Sequence, residues 1–262
     1  MLGATVTATA PKLYVQPASH PCAAVEAALT LKSIAYERVD LMPMSQLLVG
    51  PLRFGGTTVP ALRIGSERVV GSRAIMRALD TLAPEPPLLP PPGDPRYARV
   101  LELERWGDEV FQAIPRRLLP AGFVRRPQAM ESYLGDARLP LPVGVLRRAA
   151  PVVAQLLFAK SRHRDGDARA DLAALPRQLE RIDGWIAEGL LGDDQPNAAD
   201  LQIGASIRLM MSVMDVRPLI AGRPAAQLTR YFPPIAGELE AGALPPEWLA
   251  SPAVNRVSQT GD

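Results

Sequence analysis

Apolar and polar positions change period along the first eighty residues. The short run KLYVQ (12–16) is followed by Cys22, Val25 and Leu29 at helical spacing, which predicts a strand leading into an amphipathic helix. YERVDL (36–41) predicts a second strand. TTVPALRIG (57–65) and ERVV (67–70) predict a hairpin turning through Gly65 and Ser66. SRAIMRALDTL (72–82) returns to helical spacing, with Ile75, Met76 and Leu79 on one face. The predicted order is β-α-β-short helix-β-β-α.

From residue 95 onward the periodicity is helical, with long candidates at 95–119, 143–161, 171–190 and 197–214. Asn197 followed by Asp200 predicts a capped start for the last of these, since both side chains can accept from amides that the first turn leaves unpaired. Between the two halves lies PEPPLLPPPGDP (84–95), seven prolines in twelve residues. Proline fixes φ and removes a donor, so this stretch reads as a stiff connector. The expected division is a module at 12–83, a linker at 84–94 and an all-helical module at 95–250.

Composition narrows the class. The chain has 262 residues, 47% hydrophobic and 21% charged, enough for a substantial core. A net charge of +2 does not suggest attraction to nucleic acid. One cysteine and two histidines, His20 and His163, argue against an internal disulfide and against a metal site. No apolar run has the length of a membrane span and the N-terminal MLGATVTATAPK does not read as a signal peptide, so a cytoplasmic location is expected.

The candidate chemistry sits in QPASHPCAAVEAAL (16–29). Pro21 suits a first helical turn, where its missing N–H has no intrahelical partner. Ser19 and His20 then stand at the helix entrance, where unpaired amides and the dipole favour an anion such as a thiolate. Taken alone, Ser19 reads as a helix cap and Cys22 as a small buried hydrophobe. His20 lacks a visible carboxylate or metal partner and is carried only as a contact to a bound molecule. Two further features raise the interest of Ser19. Val59-Pro60 puts proline at a strand start, as a cis peptide would permit. Gly71-Ser72 precedes a helix whose amides could hold a carboxylate.

In this order, LYVQPASHPCAAVEAAL, IAYERVDL and TTVPALRIGSERVVGSRAIMRAL resemble the thioredoxin-like domain of the glutathione transferase superfamily. ERIDGWIAEGLLGDDQPNAADLQIGASI resembles a segment of that superfamily's helical second domain. The Ser-X-Pro-Cys run is most similar to the serine-type, theta-like branch. The resemblance implies an α/β thioredoxin-like domain followed by an all-α bundle, a homodimer, and conjugation of glutathione or another small thiol to apolar electrophiles in detoxification. It implies that Ser19 activates the thiolate, that Val59 and cis-Pro60 pair with the cysteinyl part, and that Gly71 and Ser72 receive the γ-glutamyl end, with His20 nearby. No metal is implied.

Two departures qualify the resemblance. The family carries Glu or Gln where this chain has Gly71, which removes a polar partner for the γ-glutamyl group; Arg73 and Arg68 are the candidates to compensate. Asn197 replaces the usual Ser or Thr, a neutral exchange at a cap. Gly71 supports the alternative of a non-catalytic binding or interaction module, and a thiol-dependent peroxidase or isomerase would use the same residues. The helical module is also longer than usual between about 119 and 167. There Val143, Leu146, Ala150, Val153 and Leu157 form a stripe read as an ordinary core-facing helix, with a lid over the acceptor pocket or a membrane-surface helix as the other readings. RHRDGDARAD (162–171) reads as a solvated turn. Trp106, Phe111 and Phe123 either line the acceptor pocket or pack the core.

Overall fold

The computed structural model describes residues 10–135, 137–160 and 165–249. Its first part is a four-stranded sheet with strands β1 (Lys12–Val15), β2 (Glu37–Asp40), β3 (Ala61–Ile64) and β4 (Glu67–Val70), in the order β2-β1-β3-β4. β1 and β2 are parallel, linked by helix α1 (His20–Leu31), because a parallel crossover needs a long connection. β1–β3 and β3–β4 are antiparallel. β1 is central, and Leu13, Tyr14 and Val15 are all buried, which is why its sequence reads as a continuous apolar run. Helix α2 (Gln46–Arg53) follows β2, and α3 (Ser72–Leu82) closes the domain. Leu13, Val25, Leu29, Leu62, Ile75, Met76 and Leu79 pack into one core on the α1–α3 side of the sheet. This is the thioredoxin-like arrangement expected, with β1, the hairpin turn and α3 where the periodicity put them.

The hairpin is shorter than expected at its start. Residues 57–60 are not strand, and the chain enters β3 through a cis Val59-Pro60 peptide.

The remainder is helical: α4 (Tyr97–Trp106), α5 (Ala113–Arg125), α6 (Val143–Lys160), α7 (Asp165–Ala187), α8 (Ala198–Met211), and the short α9 (Arg217–Ile220) and α10 (Pro246–Leu249). The single helix expected over 95–119 is two, joined by a π turn at Gly107–Phe111. Gly107 permits the close approach there, since a Cβ would stand 2.9 Å from Ile203 Cγ1 of α8. Residues 161–164, with part of the expected turn at 162–171, lie outside the described residues, as do 1–9 and 250–262. Asp165 and Asp167 already belong to α7, whose first turn their charge suits. Asn197 and Asp200 form the capping box: Asn197 Oδ1 accepts from the Ala199 and Asp200 amides, and Asp200 Oδ2 accepts from the Asn197 amide at 2.9 Å.

Two devices lock the halves together. Leu201 and Ala205 of α8 belong to the same buried cluster as the sheet domain's core. Lys32, at the end of α1, is fully buried at its side chain and donates to the carbonyls of Ala83 (2.6 Å) and Pro86 (2.8 Å) while pairing with Asp80 (2.8 Å). It thereby holds the start of the proline-rich connector, which inserts Leu88 into the core.

Candidate functional site

β1, β3 and β4 are neighbours, and Val15, Ala61 and Val70 lie at one end of the sheet. That end carries the β1–α1 turn with Ser19, the Val59-Pro60 peptide and the Gly71-Ser72 turn. The Gly71 amide donates to the Pro60 carbonyl at 2.9 Å, so the last two are directly joined.

The β1–α1 turn is tight: Ala18 takes φ +60° and the Ser19 amide donates to the Gln16 carbonyl at 3.2 Å. Ser19 occupies the N-cap with extended backbone (φ −80°, ψ 107°), and its carbonyl accepts the first helical bond from Ala23. Its hydroxyl makes no capping bond. The position is that of a cap while the side chain is not used as one, so the hydroxyl lies at the positive end of α1 beside first-turn amides that the helix itself cannot satisfy. Cys22 is buried beneath it. Burial pushes the thiol up to about 12, against the opposing influence of the nearby Ser19 hydroxyl, so Cys22 is a core residue and no nucleophile.

His20 lies at the contact with the helical part, 5% exposed, with Nε2 enclosed and without a hydrogen-bond partner among the described residues. Burial, then the charge of Arg116, lower its pKa to about 3 against the raising influence of the Gln112 side chain, so the imidazole is neutral at any physiological pH. Asp108 links this region to α8: its carboxylate accepts from the amides of Gln112 (2.5 Å) and Gln202 (3.3 Å).

Ser72 begins α3 and is buried. Gly71 precedes it at φ +96°, a conformation costly for a residue with a Cβ, which accounts for glycine here in backbone terms. Arg73, a candidate to compensate for the missing acid, is engaged with Glu104 (3.5 Å) and Glu109 (3.5 Å) of the helical part. Arg77 grips the buried Glu104 through both guanidinium nitrogens.

One group had no signal in the sequence. Arg116 of α5 is open to solvent, yet its charge reaches both His20 and Cys22 beneath Ser19. Nothing in the run IPRRLL distinguishes it. Phe111 and Phe123 are core: the first stacks on Trp106 (5.1 Å) and the second meets Tyr133 edge-on (5.1 Å). Trp106 also meets Trp185 edge-on at 4.9 Å, under the guanidinium of Arg181. No His/Cys/Asp/Glu group suited to a metal ion occurs among the described residues, and no helix among them is long and apolar enough to cross a membrane.

A thioredoxin-like sheet with a serine at the α1 entrance, a cis-proline beside it and an all-helical second part defines the two-part transferase class of fold. Comparison with known proteins agrees. Residues 13–87 match the family described as glutathione S-transferase, N-terminal domain. The N-terminal domain therefore belongs to the glutathione S-transferase superfamily, and the chain as a whole has that superfamily's fold. Among solved structures it is similar to poplar glutathione transferase F1 (17% identity, 86% of this chain and 91% of that one, TM-score 0.52). It is also similar to FzlA from C. crescentus (17%, 85% and 86%, TM-score 0.53). A GST-like protein from Pseudomonas syringae is a third (18%, 85% and 66%, TM-score 0.52). At these identities the likeness concerns fold alone. No curated protein matches the sequence.

Proposed function

We propose that this protein is a glutathione transferase-like enzyme that joins a small thiol, glutathione or a relative of it, to an electrophilic acceptor, working as a cytoplasmic homodimer. The observation that carries the reading is the Ser19 hydroxyl, set at the mouth of α1 and left out of helix capping. In this reading Ser19 donates to the thiolate, and the α1 amides and Arg116 add positive potential. A free thiol has a pKa of about 8.5, so the first unit of lowering yields about eightfold more thiolate at pH 7 and the second about threefold more. Val59 presents its backbone to the cysteinyl part, with Pro60 setting the turn, and Ser72 with the α3 amides receives the γ-glutamyl carboxylate. His20, neutral and buried, positions the α1 entrance from beneath rather than exchanging protons. The chain's contribution is a ready thiolate and proximity, without a covalent enzyme intermediate.

Gly71 favours a second reading, a binding module whose thiol site has lost a polar contact. A hydrogen bond to a charged group contributes about 1.5–3 kcal/mol, so losing it weakens the thiol by one to two decades. Steady-state conjugation of glutathione to 1-chloro-2,4-dinitrobenzene separates the two. The transferase reading expects turnover in the wild type and a loss in kcat of at least tenfold in Ser19→Ala. No turnover above the uncatalysed rate in either protein would favour the binding module, and equal catalysed rates in both would refute the role given to Ser19.

A further inference from the structure

Helix α6 carries two apolar stripes rather than one. Leu146, Ala150, Val153 and Leu157 turn inward, while Val143, which the expected stripe includes, stands half exposed. Val145, Val152 and Leu156, spaced by seven and four, share a second face and remain 46%, 63% and 50% exposed. The cavity between α6 and the 3-10 segment Pro127–Leu134 is lined by Leu146, Ala150 and Val153 and by none of these three. Met42 and Pro43 of the β2–α2 loop line the same cavity, which sets the start of α2 beside α6. α2 in turn exposes Leu48 (81%) and Leu52 (82%), one turn apart. Single exposed leucines are ordinary, but five open aliphatic side chains on two adjoining elements mark a contact surface.

The charge on these two segments has one sign. Residues 41–60 and 137–160 hold Arg53, Arg138, Arg147, Arg148 and Lys160 and no acidic residue, in a chain whose net charge is only +2, so the rest of the chain is net acidic. Arg147 is paired with Glu131 of the 3-10 segment at 2.7 Å. Arg53, Arg138 and Arg148 are exposed and make no ion pair among the described residues. Cations flanking open aliphatic side chains select the occupant. A second copy, docking through the same patch on both sides, would set like charges against each other. A protein partner would anchor its side chains in a pocket, and the cavity beside α6 is lined by the helix's other face. A lipid surface needs no pocket, and anionic headgroups attract juxtaposed Lys and Arg. We propose that α6 and α2 seat this protein on an anionic phospholipid bilayer. Val145, Val152, Leu156, Leu48 and Leu52 enter the headgroup boundary, and Arg53, Arg138 and Arg148 meet lipid phosphates. The seat is peripheral, since no helix among the described residues is long and apolar enough to cross. It borders the candidate site: Gln16, whose carbonyl holds the Ser19 turn, donates its side-chain amide to the Met42 carbonyl at 3.2 Å. The proposal stands independently of the transferase reading.

Co-sedimentation of the full chain with extruded vesicles tests this. The probes are phosphatidylcholine alone and phosphatidylcholine with about one-third phosphatidylglycerol, each at low salt and at about 1 M, where the screening length falls to about 3 Å. The wild type should bind the anionic vesicles at low salt, bind the neutral ones far less, and lose most of its binding in high salt. Val152→Glu/Leu156→Glu should weaken partition by about tenfold or more, and Leu48→Ser/Leu52→Ser should weaken it too. Arg148→Gln, which leaves the apolar face intact, should weaken it about fivefold. All these side chains are exposed, so each variant should keep the wild-type melting temperature. A wild type that ignores both vesicles, or binds both equally, overturns the proposal. Partition unchanged in Val152→Glu/Leu156→Glu and in Arg148→Gln does the same. So does self-association in sedimentation velocity that Val152→Glu/Leu156→Glu abolishes while no vesicle binds, since the face would then belong to a second copy.

Discussion

His20 makes the fold acid-labile in a way that can be isolated. Its imidazole is buried against the helical part, Nε2 lacks a partner among the described residues, and its pKa lies near 3 rather than the ordinary 6.5. A base whose folded pKa is depressed stays neutral in the native state while the unfolded chain takes up a proton below pH 6.5. The unfolded state then binds more protons, so stability is complete above 6.5 and falls as pH drops toward 3. At about 1.4 kcal/mol per unit, lowering pH from 7 to 5 costs about 2 kcal/mol through this residue, a sizeable part of a typical 5–15 kcal/mol. The assay is urea denaturation followed by circular dichroism at both pH values, in the wild type and in His20→Gln. Other groups titrate identically in both proteins, so the difference between them reports His20. The variant should lose about 2 kcal/mol less than the wild type on acidification. Parallel pH dependences would refute the burial argument, as would an imidazole resonance that titrates near 6.5 and is absent from His20→Gln.

Further outcomes follow from the same geometry. Lys32→Met leaves two carbonyls and Asp80 without their buried cation; breaking such a pair costs about 3–5 kcal/mol, and the thermal midpoint should fall by about 10 °C, a drop under 2 °C contradicting the clamp. Gly71→Ala forces a Cβ onto φ +96° with no atom within 4 Å to clash, so it should lose about 1–3 kcal/mol of backbone strain alone in chemical denaturation. An unchanged midpoint would show that the turn relaxes freely. Arg116→Met should lower kcat/KM for glutathione about fivefold below pH 7 and little at pH 9, since a solvent-open cation contributes up to about 1 kcal/mol to the thiolate; a pH-independent loss would assign it another role.

How much was legible in the sequence depended on how local the cause was. α3 (Ser72–Leu82) stands where its period placed it, because Ile75, Met76 and Leu79 face one core and Gly71 ends the strand before it. The capping box needs only Asn197 and Asp200, three residues apart, and it formed. The break at Gly107–Phe111 was illegible because its reason is distant: α8 approaches Gly107 through Ile203. The acidic residues at 165 and 167 suit a solvated turn and a helix start equally, and the first turn of α7 takes them. Within the candidate site, Ser19, Pro60 and Ser72 are found at one end of the sheet because strand order puts them there. The depth of His20 depends on Gln112 and Arg116, more than ninety positions away, and no local pattern announces that contact.

The central claim is that Ser19 stabilises a bound thiolate. Calorimetric titration with glutathione at pH 7, in two buffers of different ionisation enthalpy, counts the protons released on binding. The expected result is release approaching one proton per glutathione bound to the wild type, and clearly less in Ser19→Ala with binding retained. Equal proton release by both proteins, or binding with none, would contradict it.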